Sequence, residues 1–220
     1  MRFGIILQGR VSPWTPHIIN EYKSNFPNTE ILLSTWNDQN TDDINCDFLK
    51  IKSPGIAGKS KSTVNFQIVG TQAGLKNINA DIILKCRSDQ FIHNREIFQI
   101  FLENALKTDR IMVPDIGTYE IINFRTSDFC QIAKKSTMEN FWLSIPLYDE
   151  SNYEEAGVYL TKNYVKNLKH DSGNWKDIFR KYFCVKSYFD DFQIEWEKLN
   201  QFDKYQKIFF DSYSQRALPE

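Results

Sequence analysis

An excess of charge of either sign is what this chain most plainly lacks: 27 Lys and Arg stand against 28 Asp and Glu over 220 residues, a formal net charge of -1. Affinity for a nucleic-acid backbone comes from clustered Lys and Arg displacing condensed counterions, so no nucleic-acid partner is expected. No window approaches the ~18 consecutive apolar residues of a membrane span. The apolar opening at 3–7 has no small-residue cleavage site behind it, so a cytoplasmic protein without a transmembrane segment is expected. Cys46, Cys86, Cys130 and Cys184 are scattered, with no C-x-x-C pair, which argues for reduced, packed thiols over a zinc site or disulfide framework. His17, His93 and His170 have no partner at a metal-binding spacing. G-x-G-x-x-G, G-x-x-x-x-G-K-[ST], G-x-S-x-G and H-E-x-x-H are all missing, and with them the usual dinucleotide, P-loop, hydrolase-elbow and zincin chemistries.

What is present is an alternation. Short apolar runs at 3–7, 30–34, 48–51 and 82–85 are separated by longer stretches, two of which read as helices at 15–25 and 63–77. That is the pattern of βαβ units and a mostly parallel sheet flanked by helices, an α/β fold. Farther along, helices are expected at 96–107, 127–134, 154–168 and 175–182, a strand at 110–113, and an amphipathic helix from 191 to 212 carrying Phe192, Trp196, Leu199, Phe202 and Phe209. Packing of that tail onto the domain is favoured over peripheral membrane contact, because its Lys198, Lys204 and Lys207 are offset by Glu195, Glu197 and Asp203. Without a linker or repeat, one domain is expected over 1–220, with a nucleotide-binding half at 1–92, an acceptor-side half at 93–190 and the tail at 191–220.

In an open parallel sheet, ligands sit beyond the carboxyl ends of the strands. That rule gathers Gln8-Gly9-Arg10, Ser34-Thr35-Trp36 and Lys85 with Arg87-Ser88-Asp89 into one crevice. Arg pairs with phosphate oxygens, Trp offers a stacking face, and Asp suits a hard cation. Each has a plainer reading: Gly9 as a turn residue, Arg10 as a solvated side chain, Trp36 as core, Asp89 as a turn carboxylate or helix cap.

The order of these segments, with Phe26-Pro27-Asn28-Thr29-Glu30-Ile31-Leu32, Ser53-Pro54-Gly55, Val64-Asn65-Phe66-Gln67 and Gly74-Leu75-Lys76 between them, resembles the WavE family of lipopolysaccharide-synthesis proteins. The resemblance is dense from Phe3 to about Ile92 and thinner beyond, where Thr126-Ser127-Asp128-Phe129 is similar to a Ser-Asp-aromatic segment. It implies a GT-A-like, nucleotide-sugar-binding fold and a glycosyltransferase acting in surface polysaccharide or lipopolysaccharide assembly on a glycan or lipid-linked acceptor.

By the same resemblance, Arg87-Ser88-Asp89 takes the place of the Asp-x-Asp motif, with Asp89 holding Mn²⁺ or Mg²⁺ against the donor diphosphate. Gln8, Gly9 and Arg10 then line the nucleotide site, Ser34, Thr35 and Trp36 border the base and ribose, and Lys85, Asn65 and Gln67 add polar donor contacts. Ser53 and Phe66 depart from the pattern, standing where Asp and Arg are usual. Glu154 and Glu155 are the candidates for a later Glu. In the mechanism this implies, Arg87 and Arg10 help the diphosphate leave. Asp128 is the expected base and Glu155 the second candidate, with helix capping the plainer reading of Asp128. Two rivals stand beside the transferase: a catalytically silent nucleotide-sugar-binding or scaffold subunit, and a sugar-phosphate nucleotidyltransferase.

Overall fold

A computed structural model describes residues 1–56, 62–149, 154–201 and 216–220. Its centre is β1 (Phe3–Gln8), apolar as far as Leu7 and flanked on both sides by parallel partners. One partner is β2 (Thr29–Trp36), which carries β3 (Asp47–Ile51) on its outer edge; the other is β4 (Ile82–Arg87). Beyond β4 the sheet continues through β7 (Gln131–Lys134), β6 (Ile111–Pro114) and β8 (Phe183–Lys186), giving seven strands in the order β3-β2-β1-β4-β7-β6-β8. Only the pairings of β7 are antiparallel in this sheet. The strand order therefore reverses direction at β1/β4, the kind of switch point where α/β sheets open a crevice.

Alternation along the strands divides the core into two layers. Ile5, Leu7, Leu33 and Leu84 pack on one face with α1 (Thr15–Asn25) and α3 (Ile97–Asn104). Ile6, Leu32 and Ile83 pack on the other with α2 (Val64–Asn77), α4 (Lys135–Trp142), α5 (Ala156–Lys162) and α6 (Trp175–Tyr182). The helices read at 15–25 and 175–182 coincide with α1 and α6. Pro16 suits the first turn of α1, where a missing N–H costs nothing, and the Asn174 side chain caps α6 by accepting from the Asp177 N–H. The helix read at 154–168 is α5 continued by a π-helical turn, Asn163–Leu168.

Two expectations are overturned. Residues 127–134 are not a helix: Gln131–Lys134 form β7, whose Gln131 and Ile132 pair with Lys85 and Leu84 of β4. A short apolar run carries no decisive period, and the vacant edge of β4 supplies hydrogen bonds that a lone helical turn cannot match. The capping reading of Asp128 falls with that helix. The tail is likewise not one helix: Ile194–Trp196 form β9, antiparallel to β5 (Gln90–Ile92), before α7 (Glu197–Gln201). There the side chains alternate with a period of two, Ile194 entering the core and Glu195 reaching His93. The rest of the tail read as helical, 202–212, lies outside the described residues. No helix among the described residues is long and apolar enough to cross a membrane.

Candidate functional site

β1 and β4 end level, with Gln8 paired to both Ser34 and Arg87, and β2 runs two residues farther to Trp36. Their carboxyl ends open a pocket of about 300 Å³ at the switch point, walled by Gln8, Gly9, Arg10, Trp36, Gln67 and Arg87. Ile56, Thr63 and Phe66 complete it. Larger hollows exist by Met1 and Ala80 and by Thr29 and Asp47, at the amino-terminal ends of the strands, and by Val11, His17 and Asn40, among loop and α1 residues that do not include the strand ends Gln8, Trp36 and Arg87.

The turn after β1 is held tightly. Gly9 donates its N–H to the Ser34 carbonyl at 3.1 Å, and Ser88 donates its hydroxyl to the Arg10 carbonyl at 2.6 Å. Gly9 has φ +146°, and a Cβ there would lie 2.5 Å from Ser88 Oγ. Gly9→Ala therefore strains the backbone and expels Ser88 from its hydrogen bond; it is expected to cost about 1–3 kcal/mol in urea unfolding. Ser88→Ala in the same chain should recover part of that loss, and no recovery would mean that the clash is not the cause.

Arg87 reaches over the Trp196 ring of β9, 5.4 Å from its centroid, and pairs bidentately with Asp89: Nε to Oδ1 at 2.8 Å and Nη2 to Oδ2 at 2.9 Å. Burial works against the Arg87 charge, but Asp89 outweighs it and holds the guanidinium above its ordinary pKa. Both Asp89 oxygens are thus engaged, and among the described residues no three His, Cys, Asp or Glu side chains gather to hold a metal. As arranged, the residues present do not form a protein-built cation site. A divalent ion at Asp89 would have to break the Arg87 pair.

Lys85, one strand position inward from Cys86, has no exposed surface. Its Nζ donates to the Asp128 carbonyl at 2.5 Å and to Gln67 Oε1 at 3.2 Å, and lies 4.8 Å from the Trp142 ring centroid. Gln67 Nε2 donates in turn to Asp128 Oδ2 at 2.6 Å. An ammonium can only donate, so it dictates which end of the Gln67 amide faces it; the amide N–H is left to Asp128. Burial pulls the Lys85 pKa down to about 8, and the Asp128 charge opposes the shift.

The pocket brings together Gln8, Gly9, Arg10, Trp36, Gln67 and Arg87, with Asp128 bonded to its Gln67 wall. Ser34 and Thr35 are fully buried outside its lining, Ser88 serves the turn, and Lys85 lies beneath as a support. Asn65 clamps the Tyr148 backbone instead, donating to its carbonyl at 3.0 Å and accepting from its N–H at 2.7 Å. Glu155 is paired with Arg125 at 3.0 Å, away from the pocket.

Sequence reasoning missed Thr63, Ile56 and the part played by Phe66. Phe66 meets Trp36 edge-on, centroids 5.1 Å apart, to form an aromatic corner of the pocket. Its place in the first turn of a helix aimed at the strand ends was the available signal.

A family model for WavE lipopolysaccharide synthesis matches residues 9–212. Among solved structures, the chain is similar to TarS of S. aureus at TM-score 0.52 and 11% identity, over 85% of this chain and 35% of that one. It is also similar, at TM-score 0.48 and 12% identity, to a glycosyltransferase involved in glycosylation of the major capsid of PBCV-1, over 86% of this chain and 83% of that one. HddC from Yersinia pseudotuberculosis, complexed with GMP-PN, gives 0.49 and 12% over 96% and 99%. No curated protein sequence matches the chain. Identities this low speak to the fold alone, which is GT-A-like.

Proposed function

Because the chain belongs to the WavE lipopolysaccharide-synthesis family, we propose that it transfers a sugar from a nucleotide-sugar donor to a glycan acceptor. The observation that carries this reading is the pocket at the β1/β4 switch point, in which an aromatic corner and two arginines stand beside a positioned carboxylate. The nucleotide base lies against Phe66, which the buried Trp36, 2% exposed, supports edge-on from the core. Gln8 Oε1, buried with no hydrogen-bond partner among the described residues, accepts from the donor. Arg10 receives the diphosphate with its planar fork, and Arg87, whose Nε and Nη2 already hold Asp89, adds the N–H groups of Nη1.

In the transfer step an acceptor hydroxyl oxygen bonds to the anomeric carbon and its proton passes to Asp128. The bond from that carbon to the diphosphate breaks, and the electron pair departs on the nucleoside diphosphate, where Arg87 and Arg10 offset the growing charge. The pairing of Glu155 with Arg125, outside the pocket lining, favours Asp128 over it as the base. Phe66, where the family pattern has Arg, replaces a charge by an apolar wall, so the phosphate-binding duty falls on Arg10 and Arg87.

The test is a thermal-shift panel of UDP, GDP and CMP, each with and without Mn²⁺. One nucleotide should raise the melting temperature of the wild type, by the equivalent of about 2.7 kcal/mol at a hundredfold excess over Kd. Arg10→Ala should lose most of that shift. A shift that needs Mn²⁺ and vanishes in Asp89→Ala would make Asp89 a cation ligand released from Arg87. No shift with any nucleotide rejects the reading, and binding without turnover or donor hydrolysis marks the silent subunit.

A further inference from the structure

A second cleft, of about 260 Å³, lies along α5 and its π-helical continuation. Tyr159, Lys162, Asn163, Lys166 and Asn167 recur at steps of three and four, so one helical face supplies a whole wall. Tyr148, Asp149 and Glu154 supply the other. The two tyrosines meet edge-on with centroids 4.9 Å apart, a rigid aromatic corner.

The polar groups around that corner are pre-set. Lys162 pairs with Glu154 at 2.8 Å, the Glu154 N–H donates to the Tyr148 hydroxyl at 3.1 Å, and Asn167 donates to Asn163 Oδ1 at 2.7 Å. Each side-chain amide can make more hydrogen bonds than these. A π-helical turn widens the helix at Asn163–Leu168, a deviation that gathers at functional sites.

The chemistry of the lining selects its ligand. Two lysines balance two carboxylates, so no field of one sign exists to collect phosphate. Donors and acceptors instead alternate around aromatic walls, which suits a ligand whose every polar group both donates and accepts while its ring faces are apolar. That is a sugar ring with free hydroxyls.

The cleft adjoins the transfer site through two contacts. Asn65 grips the Tyr148 backbone with both ends of its amide, and the next two residues, Phe66 and Gln67, wall the first pocket. On the other side α5 sits against the 126–128 segment that carries Asp128: the Thr126 and Thr161 hydroxyls lie 2.6 Å apart, and Gly157 presses so closely that a Cβ would fall 2.5 Å from the Thr126 carbonyl. Gly157 and Thr161 lie on the face of α5 opposite Tyr159, Lys162 and Lys166, so α5 is a wall shared by the cleft on one side and the segment carrying Asp128 on the other.

We infer that the Tyr148–Tyr159 cleft is the acceptor subsite, binding an uncharged, hydroxyl-rich sugar residue of the glycan; this rests on the transferase reading above. The experiment is saturation-transfer NMR on the full chain with methyl β-glucoside, methyl β-galactoside and the methyl glycoside of N-acetylglucosamine. At least one should receive saturation from the wild type. Asn167→Arg, at an exposed position that fills the cleft, should weaken it by roughly tenfold or more, the equivalent of about 1.4 kcal/mol. Lys166→Ala, which gives up a cation–π contact with the partly exposed Phe124, provides a second variant.

No transfer to any glycoside from the wild type, or equal transfer in folded Asn167→Arg and Lys166→Ala, overturns the assignment. The nucleotide panel is run on the same variants. In the wild type, nucleotide shifts without glycoside binding reject this cleft alone and absent nucleotide shifts reject the transferase reading itself; in the variants, retained nucleotide shifts with weakened glycoside binding support the assignment.

Discussion

Asp128→Asn should lower turnover by roughly 10²- to 10⁴-fold, the range that a positioned general base supplies, while leaving nucleotide-induced thermal shifts intact. The substitution is close to isosteric, and the Asn oxygen can still accept from Gln67 Nε2, which now bonds Asp128 Oδ2 at 2.6 Å. What disappears is the ability to accept a proton from the acceptor hydroxyl. Glu155→Gln, whose side chain only releases Arg125, should stay within a fewfold of wild type. Wild-type kcat in Asp128→Asn removes Asp128 from the mechanism. A second readout follows from the buried neighbour: the Asp128 charge opposes the burial that depresses the Lys85 pKa. Its loss should push that pKa below about 8, so the pH dependence of stability should begin at lower pH in the variant.

Lys85→Met separates what Lys85 does for stability from what it does for the site. Its pKa falls from 10.5 to about 8 on folding, chiefly through burial. Between those values the unfolded chain holds more proton than the folded one, so stability rises with pH across that window. Below it the buried charge costs the fold about 3 kcal/mol relative to a solvated lysine. Methionine removes that cost but leaves the Asp128 carbonyl and Gln67 Oε1 unpaired, a loss of about 1–3 kcal/mol.

Near neutral pH the two effects nearly cancel. From about pH 7 to about pH 10.5 wild type should gain on the variant by about 3 kcal/mol in urea unfolding, and parallel pH curves would show that Lys85 is charged at no cost. Turnover should fall far more than stability. Without a donor-only partner the Gln67 amide is free to turn, Asp128 loses its fixed hydrogen bond, and misplacement on the ångström scale can cost roughly 10²-fold in rate. Methionine supporting wild-type turnover would make Lys85 a purely structural residue.

Much of the crevice is legible in the sequence because a parallel sheet imposes a positional rule. Gln8-Gly9-Arg10 and Arg87 follow apolar runs, and such positions belong to the carboxyl edge whichever strand is central. Phe66 is different: as a lone residue it reads as a missing charge, and only the approach of α2 to Trp36 makes it a wall. Lys85 also defeats linear reading. On a buried strand its place beside Arg87 suggests ligand contact, yet its side chain is fully buried in the helix-covered layer near Trp142, outside the pocket lining.

The sequence by itself determined the α/β class, the boundaries of α1 and α6, and the segments that meet at the switch point, because hydrophobic period, proline placement and capping residues act within a few residues of one another. Tertiary structure alone decided that Gln131–Lys134 and Ile194–Trp196 are strands, that Arg87 locks Asp89, and that Lys85, Gln67 and Asp128 form one hydrogen-bonded line. The reason is physical. A strand is completed by a partner distant in the chain, and a buried lysine takes its charge state and its orienting power from neighbours that only the closed fold brings within hydrogen-bonding distance.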